Sequence, residues 1–518
     1  MTGISKLAKI EGQPLKIVKI EGNVIKRALG LEKFNTFGYG KSKCVFNLKS
    51  LIEILNKLEN ANEKICVLDI TGKFRGGKSF LLTCIIRYLE WLEAGSPTDV
   101  DWINIPCDGF KSRFGTKRET TGIDIWPKLY TVKASNGSNL KILLVDTQGL
   151  FDNQTDMQSC GAIFGIAALL SSVMIYNIKE CIGGVDVTNL ASLVDFANEV
   201  ASREGRRPLQ KLMFLVRDFP FVNADRGFEA GNDYLIEVRE EANENAEATA
   251  AWNLLDRASE EVVGCCLSPP DGSGIPDGNV AEMGDKFGRE LRSFIEQLIS
   301  DLEANMTCAQ FVTDLESMPE VFTDGSLPEV DDVYQARVTK RLEIVCRKII
   351  GPFSEVVKAE ADGREDFRSC YGTHATEALA QFEKQSATIG EPQHRQMAAQ
   401  QLREEMGKVY DRFNEKNKMN LDRKKIEEEM EKMRKENEKR DQEHKEKMAE
   451  LDQKLKDAKT EEERGTVQSL IELLTIQFVY QMRVFEKRWE EMEAALREAR
   501  ANERKRAEAK KDGICSIM

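Results

Sequence analysis

The 518-residue sequence predicts an α/β domain, a mostly parallel sheet with helices on both faces, followed by an all-α helical bundle and a long charged helix. Three observations carry that reading. Up to about residue 320, short apolar runs alternate with helix-like segments, which is the pattern of successive βαβ units. From Val330 to about Asn420 the apolar spacing is helical, with loops near Gly363 and Ile389–Gln393, as in a small bundle. From Leu421 to Arg464, sixteen acidic and fourteen basic residues fill 44 positions. These shifts place the α/β domain at 1–320 and the helical middle domain at 321–420. A long charged helix or coiled coil follows at 421–465, an amphipathic and basic helical tail at 466–511, and a short tail at 512–518.

The candidate strands of the first domain are Leu15–Ile20, Ile65–Thr71, Lys141–Asp146, Val173–Ile178 and Lys211–Val216. Directly after the second stands Gly72-Lys73-Phe74-Arg75-Gly76-Gly77-Lys78-Ser79, which fits G-x-x-x-x-G-K-[ST], and a helix pattern runs from Ser79 through Phe80 to Trp91. In such a loop the backbone N–H groups surround phosphate oxygens at a helix N-terminus, the Lys reaches the β/γ-phosphates, and the Ser hydroxyl ligates Mg²⁺. The order strand, loop, helix is the one this mechanism requires, so the segment is read as a nucleotide site.

The third candidate strand ends in Asp146-Thr147-Gln148-Gly149, a D-x-x-G. Alone it is a turn after a strand. One strand unit after a phosphate loop, Asp146 becomes a Mg²⁺ holder and the Gly149 N–H a sensor of the γ-phosphate. Between the two lies Arg118-Glu119-Thr120-Thr121-Gly122, where a threonine, Thr120 in preference to Thr121, completes the metal coordination and acts as a switch. No N-K-x-D follows. Instead the fifth strand ends in Arg217-Asp218. A carboxylate accepts from both N1–H and the exocyclic amine of guanine, whereas adenine presents an acceptor at N1. From spacing alone, Asp218 is either the guanine reader or half of a surface ion pair.

Composition narrows the class. A net charge of −13 speaks against a general nucleic-acid binder. The twelve cysteines include no C-x-x-C pair, and His374, His394 and His444 lie far apart, so no zinc spacing or His-based triad emerges. Cys265-Cys266 reads as a pair of buried thiols. The N-terminus has no apolar signal core, which predicts a cytoplasmic protein. Cys160 to Ile178 is uncharged over almost the length of a membrane span, but a core helix (Gly161–Leu170) turning through Ser171-Ser172 into a strand explains it better.

Within the charged segment, acid-to-base pairs such as Glu428/Lys432 and Glu450/Lys454 stand at i, i+4. Ile426, Met430, Met433, Met448, Leu451 and Leu455 keep heptad spacing at each end, but Asn437, Arg440 and His444 fall on the seam between, so a solvated helix competes with a coiled coil. Val467 to Phe485 is apolar apart from Glu472 and Arg483, and is read as an amphipathic helix docked on the body.

GKFRGGKSFLL, RETTGIDIW, LLVDTQGLFDNQ, FLVRD and GCCLSPPDG together resemble the large GTPases of the atlastin and guanylate-binding protein family, in the dynamin superfamily, over roughly residues 10–420. The resemblance implies a GTPase (G) domain followed by a helical middle domain, with GTP as substrate and Mg²⁺ as cofactor. It implies nucleotide contacts from Gly72 to Phe80 and from Asp146, Gly149, Arg217 and Asp218, the last as guanine reader. It further implies metal coordination by Ser79, Thr120 and Asp146, catalytic roles for Arg75, Lys78 and Thr120, and a base-capping loop between Gly264 and Asn279. Arg75 matches the family's P-loop arginine, an arginine finger supplied in cis. The same likeness implies homodimerisation through G domains when GTP is bound, and membrane tethering, remodelling or fusion. One departure is plain: atlastins carry a transmembrane hairpin after the middle domain, and here the charged helix stands in its place.

The last four residues, Cys515-Ser516-Ile517-Met518, fit a C-a-a-X box, with terminal Met favouring farnesyl although Ser516 is not aliphatic. Arg497–Lys511 brings seven basic residues against three acidic ones. The expected protein is therefore peripheral on the cytosolic face of a membrane, held by a farnesyl group on Cys515 and a basic tail. Atlastin likeness makes the endoplasmic reticulum a candidate membrane. The competing reading is a nucleotide-switched, prenylated coiled-coil scaffold without mechanical work; an ATPase or kinase built on the same loop is a distant third.

Overall fold

The computed structural model describes residues 11–21, 43–57, 62–73, 76–110, 122–134, 137–149, 157–221, 225–271, 280–323 and 326–515. The chain divides into two compact units, Met1–Arg341 and Leu342–Met518.

The first unit is built on one sheet of nine strands among the described residues: β1 (Leu15–Glu21), β2 (Lys43–Phe46), β3 (Lys64–Gly72), β4 (Ile123–Ile125), β5 (Tyr130–Lys133), β6 (Asn139–Thr147), β7 (Val173–Lys179), β8 (Leu209–Arg217) and β9 (Ser259–Cys266). Their order is β2-β1-β4-β6-β3-β7-β8-β9, with β5 paired to β6. The block β6-β3-β7-β8-β9 is parallel, and β1, β2, β4 and β5 add antiparallel pairings on one side. All five strands expected from the sequence are present. β2, β4 and β5 have three or four residues each and too little pattern of their own. In β9, Glu260, Glu261 and Gly264 interrupt the apolar run.

Alternation in the parallel strands feeds two cores. In β3, Ile65 and Val67 join one hydrophobic cluster while Cys66, Leu68 and Ile70 join the other. Both faces are buried, which is why these strands read as unbroken apolar runs rather than alternating ones. α1 (Lys49–Leu55), α3 (Met157–Leu170), α4 (Gly184–Arg203), α6 (Ala246–Ala258) and α8 (Cys308–Val321) cover the first core. α2 (Lys78–Glu93) and α7 (Asp285–Ser300) cover the second, and α5 (Gly227–Ala242) packs along β9. The uncharged run from Cys160 is the buried α3 followed by β7, and among the described residues no helix is long and apolar enough to cross a membrane.

In the second unit, α9 (Val330–Glu360, which begins in the first), α10 (Phe367–Ser386) and α11 (Pro392–Asp457) form the bundle. Gly363, at φ +70°, turns the chain between α9 and α10. Asn417 of α11 holds that turn, accepting from Arg364 N–H and donating to the Arg364 carbonyl, both at 2.8 Å. α11 runs 66 residues without interruption, so the charged segment continues the bundle helix instead of starting a new element.

α12 (Glu461–Cys515) returns antiparallel along α11. Arg500 pairs with Glu427 at 3.3 Å, and His444 stacks on Phe478 with ring centroids 3.9 Å apart. The polar middle of the heptad seam is thus covered, with the imidazole of His444 lying flat on an aromatic face. The expectation that Val467–Phe485 is docked on the body needs correction. One face of the segment lies on α11, while Leu473, Ile476 and Tyr480 are 64%, 68% and 68% exposed. A helix apolar nearly all round cannot hide both faces against a single partner helix.

Candidate nucleotide site

The parallel register brings the C-terminal ends of four strands to one edge. Ile70 pairs with Asp146, Gly72 with Asn177, and Lys179 with Arg217. Ligands of open α/β sheets bind at this edge.

At the end of β3 the chain enters the phosphate loop at Gly72, φ +134°, where a Cβ would run into the Asn177 carbonyl oxygen. It leaves through Gly77, φ +77°, the residue that caps α2. A side chain at Gly77 would press on the Arg217 guanidinium, 3.2 Å from its Cβ position. Lys78 opens α2 and is 7% exposed, with its Nζ donating to the Gly72 and Lys73 carbonyls, each at 3.3 Å. Burial lowers the ammonium pKa, and the carboxylates of Asp146 and Asp69 oppose that shift. A desolvated cation with only two long carbonyl contacts is well placed to receive phosphate.

Ser79 Oγ donates to Asp146 Oδ2 at 2.8 Å, so the hydroxyl of the loop and the carboxylate of β6 share one point. Both are hard oxygen donors, and with phosphate oxygens and water they fit Mg²⁺. Gly149 is buried just past β6. Gln148, between them, accepts from the Gly122 N–H at 2.8 Å, while its own N–H donates to the Gly122 carbonyl at 2.9 Å. The D-x-x-G is thereby tied to the residue that follows Thr120-Thr121.

Asp218 follows directly on β8 with φ +54°, an uncommon conformation for a residue with a Cβ and one that concentrates at functional sites. Its carboxylate lies 3.7 Å from Lys179 Nζ. Arg217 turns back toward the loop, donating through Nε to Asn177 Oδ1 at 2.6 Å.

The structure therefore brings together Gly72, Lys73, Gly76, Gly77, Lys78, Ser79, Asp146, Gly149, Arg217 and Asp218 at one edge. Phe74, Arg75 and Thr120 lie outside the described residues, as do residues 272–279 of the expected capping loop. Phe80 stands beside Ser79 in the first turn of α2, with its ring packed on the second core. Lys73 contributes its carbonyl; its ammonium pairs with Asp186 at 2.7 Å. Two residues escaped the sequence reading. Asn177 bridges the Gly76 carbonyl (2.8 Å) and Arg217; a polar residue near the end of an otherwise apolar strand was its only signal. Asp69 is fully buried in β3, with Oδ1 accepting from Thr147 Oγ1 at 2.7 Å and Oδ2 without a hydrogen-bond partner.

Burial pushes the Asp69 carboxyl from 3.8 up to about 7, the nearby Asp146 charge adding to the shift and Thr147 and Lys78 opposing it. The folded state then holds the proton more tightly than the unfolded chain, and stability falls as pH rises between those two values. In metal- and nucleotide-free protein, Asp69→Asn is expected to melt a few degrees above wild type at pH 8, and the gap should close toward pH 4.5. Thermal denaturation at the two pH values checks this. An equal gap at both would show that ionisation is not its cause.

Strand, phosphate loop and helix, with a strand-end carboxylate against the loop's Ser79, define a P-loop nucleotide-binding domain of the α/β class. Residues 46–303 match the N-terminal domain of guanylate-binding proteins. The chain is 31% identical to Drosophila melanogaster atlastin over 266 residues, 49% of each chain. It is 29% identical to Macaca fascicularis atlastin-2 over 307 residues, covering 56% of this chain and 53% of that one. With Bos taurus atlastin-1 the identity is 27% over 293 residues, 53% and 51% of the two chains. These likenesses point to the atlastin and guanylate-binding protein group, and the family match is carried by just under half of the chain. It spans about half the length of the curated relatives it matches.

Proposed function

We propose that this chain binds GTP with Mg²⁺, hydrolyses it, dimerises through its G domains in the GTP state, and uses that cycle to tether or remodel membranes. The observation that carries the reading is the pairing of Ser79 with Asp146 at 2.8 Å beside the buried Lys78, under a loop whose glycines let its backbone pack closely on Asn177 and Arg217. Lys78 meets the β/γ-phosphates. Ser79, Asp146 and Thr120 would hold Mg²⁺, which would draw charge from the phosphates. Asp218 accepts from guanine N1–H and its amine, and Arg75 stabilises the charge that develops during phosphoryl transfer. Because that transfer needs little covalent chemistry from the protein, positioned cations supply most of the acceleration.

Anchoring is proposed through a farnesyl group on Cys515, helped by the seven basic residues of Arg497–Lys511. A single lipid chain binds only reversibly, so a second, electrostatic attraction is needed for stable residence on the cytosolic face. Cys515 closes α12, and its side chain lies outside the described part of the molecule.

Size-exclusion chromatography with GTP, GDP and a transition-state analogue, alongside GTP turnover, tests the reading. GTP or the analogue should raise the apparent size above that of the nucleotide-free protein, GDP should not, and turnover should proceed without any partner protein. Slow turnover with no change of size would instead favour a nucleotide-switched scaffold.

A further inference from the structure

α12 carries two apolar stripes, and α11 covers one of them. Val467, Ile471, Leu474, Phe478 and Phe485 are half-buried on the α11 side, at heptad spacing. The second stripe consists of Leu470, Leu473, Ile476, Tyr480 and Val484, exposed by 43% to 68%. It extends for about 21 Å along the helix axis at 1.5 Å per residue. A contiguous apolar stripe of this kind on a soluble surface marks an interaction site.

We propose that this stripe pairs with the same stripe of a second copy of the chain, the two α12 helices running antiparallel. Charge placement selects both the partner and the direction. Glu472 and Arg483 are eleven residues apart, about three turns, so they lie on the same flank of the stripe. In an antiparallel pair the same flanks meet. With the helices aligned about Gln477, Leu470 is level with Val484 of the other copy, Leu473 is within a residue of Tyr480, and Glu472 is within a residue of Arg483. The symmetry makes the ion pair twice, as an isologous contact requires. A parallel pair would set Glu472 against the opposite flank, which holds Leu474 and Gln481 and offers no opposite charge at that level. An anionic lipid surface fits less well, because Glu472 and Glu486 balance Arg483 and Lys487 around the stripe, whereas interfacial helices present a basic polar face.

This contact is separate from G-domain pairing and needs no nucleotide, so it is tested by sedimentation velocity on the full chain carrying Lys78→Ala, without nucleotide. A concentration-dependent monomer–dimer equilibrium is expected. Leu473→Lys with Tyr480→Lys should raise its dissociation constant at least about tenfold, or about 1.4 kcal/mol. Glu472→Arg alone should also weaken pairing, and adding Arg483→Glu should restore it, because both partners then carry the exchanged charges. A protein that stays monomeric over the whole concentration range overturns the proposal, as does a double exchange no stronger than the single one. Flotation with phosphatidylcholine vesicles supplies the other arm: a monomer that binds vesicles through Leu473 and Tyr480 reassigns the stripe to lipid.

Discussion

Lys78→Ala is expected to lower GTP affinity by at least about 100-fold, which amounts to no binding at ordinary nucleotide concentrations. The residue opens α2 at the phosphate loop, 7% exposed, and its own partners are two carbonyls at 3.3 Å. Two charge-assisted contacts to phosphate oxygens at about 1.5–3 kcal/mol each give about 3–6 kcal/mol, or 10² to 10⁴ in affinity. The loss is one of binding, not of folding. In the free protein burial disfavours the ammonium while the Asp146 and Asp69 carboxylates favour it, so the two effects offset in part and the variant should melt within a few degrees of wild type. Titration with a fluorescent GTP analogue, alongside a melting curve, measures both quantities. Affinity within tenfold of wild type would move the phosphates away from Lys78.

The parts of this site that were legible in the sequence are those that depend on short segments. Gly72, Gly77, Lys78 and Ser79 occupy one loop, Asp146 and Gly149 one strand end, and each motif carries its own chemistry. Four of the five legible strands, β3, β6, β7 and β8, showed for the same reason, since a strand buried on both faces shows itself without its neighbours. What stayed hidden depends on contacts distant in sequence. Asn177 matters because it lies between Gly76 and Arg217, 101 and 40 positions away. Asp69 was hidden inside an apolar run. So was the ionic cluster in which Arg337 of α9, fully buried, lies 3.8 Å from both Glu204 and Asp314. Burial alone would raise the Asp314 pKa, yet Arg337, Arg341 and Arg206 hold it below the usual carboxylate value. The pairing of α11 with α12 was half legible. The seam of α11 lapses at Asn437, Arg440 and His444, and only the position of Phe478 opposite His444 explains how the lapse is tolerated.

Arg75→Ala is expected to leave GTP affinity within a few-fold of wild type while lowering kcat by at least about 100-fold, the range in which arginine fingers act. Arg75 lies outside the described residues, but its neighbours bracket it. On either side of it, the Gly76 N–H donates to the Lys73 carbonyl at 3.3 Å. Lys78 and Arg217 already supply two cations near the loop, and a third is not needed to hold ground-state phosphate. Its value lies where charge on the β/γ-phosphates redistributes as the bond breaks. A group that acts chiefly there appears in kcat and hardly in binding. Steady-state and single-turnover hydrolysis, set beside equilibrium titration, separate the two effects. Arg75→Lys is the informative companion. It keeps the charge but loses the planar fork, and should recover only a small part of the rate. If Arg75→Ala loses affinity and rate in equal proportion, Arg75 is a phosphate clamp, and the acceleration must come from Lys78, Arg217 or a group supplied by a second copy of the chain.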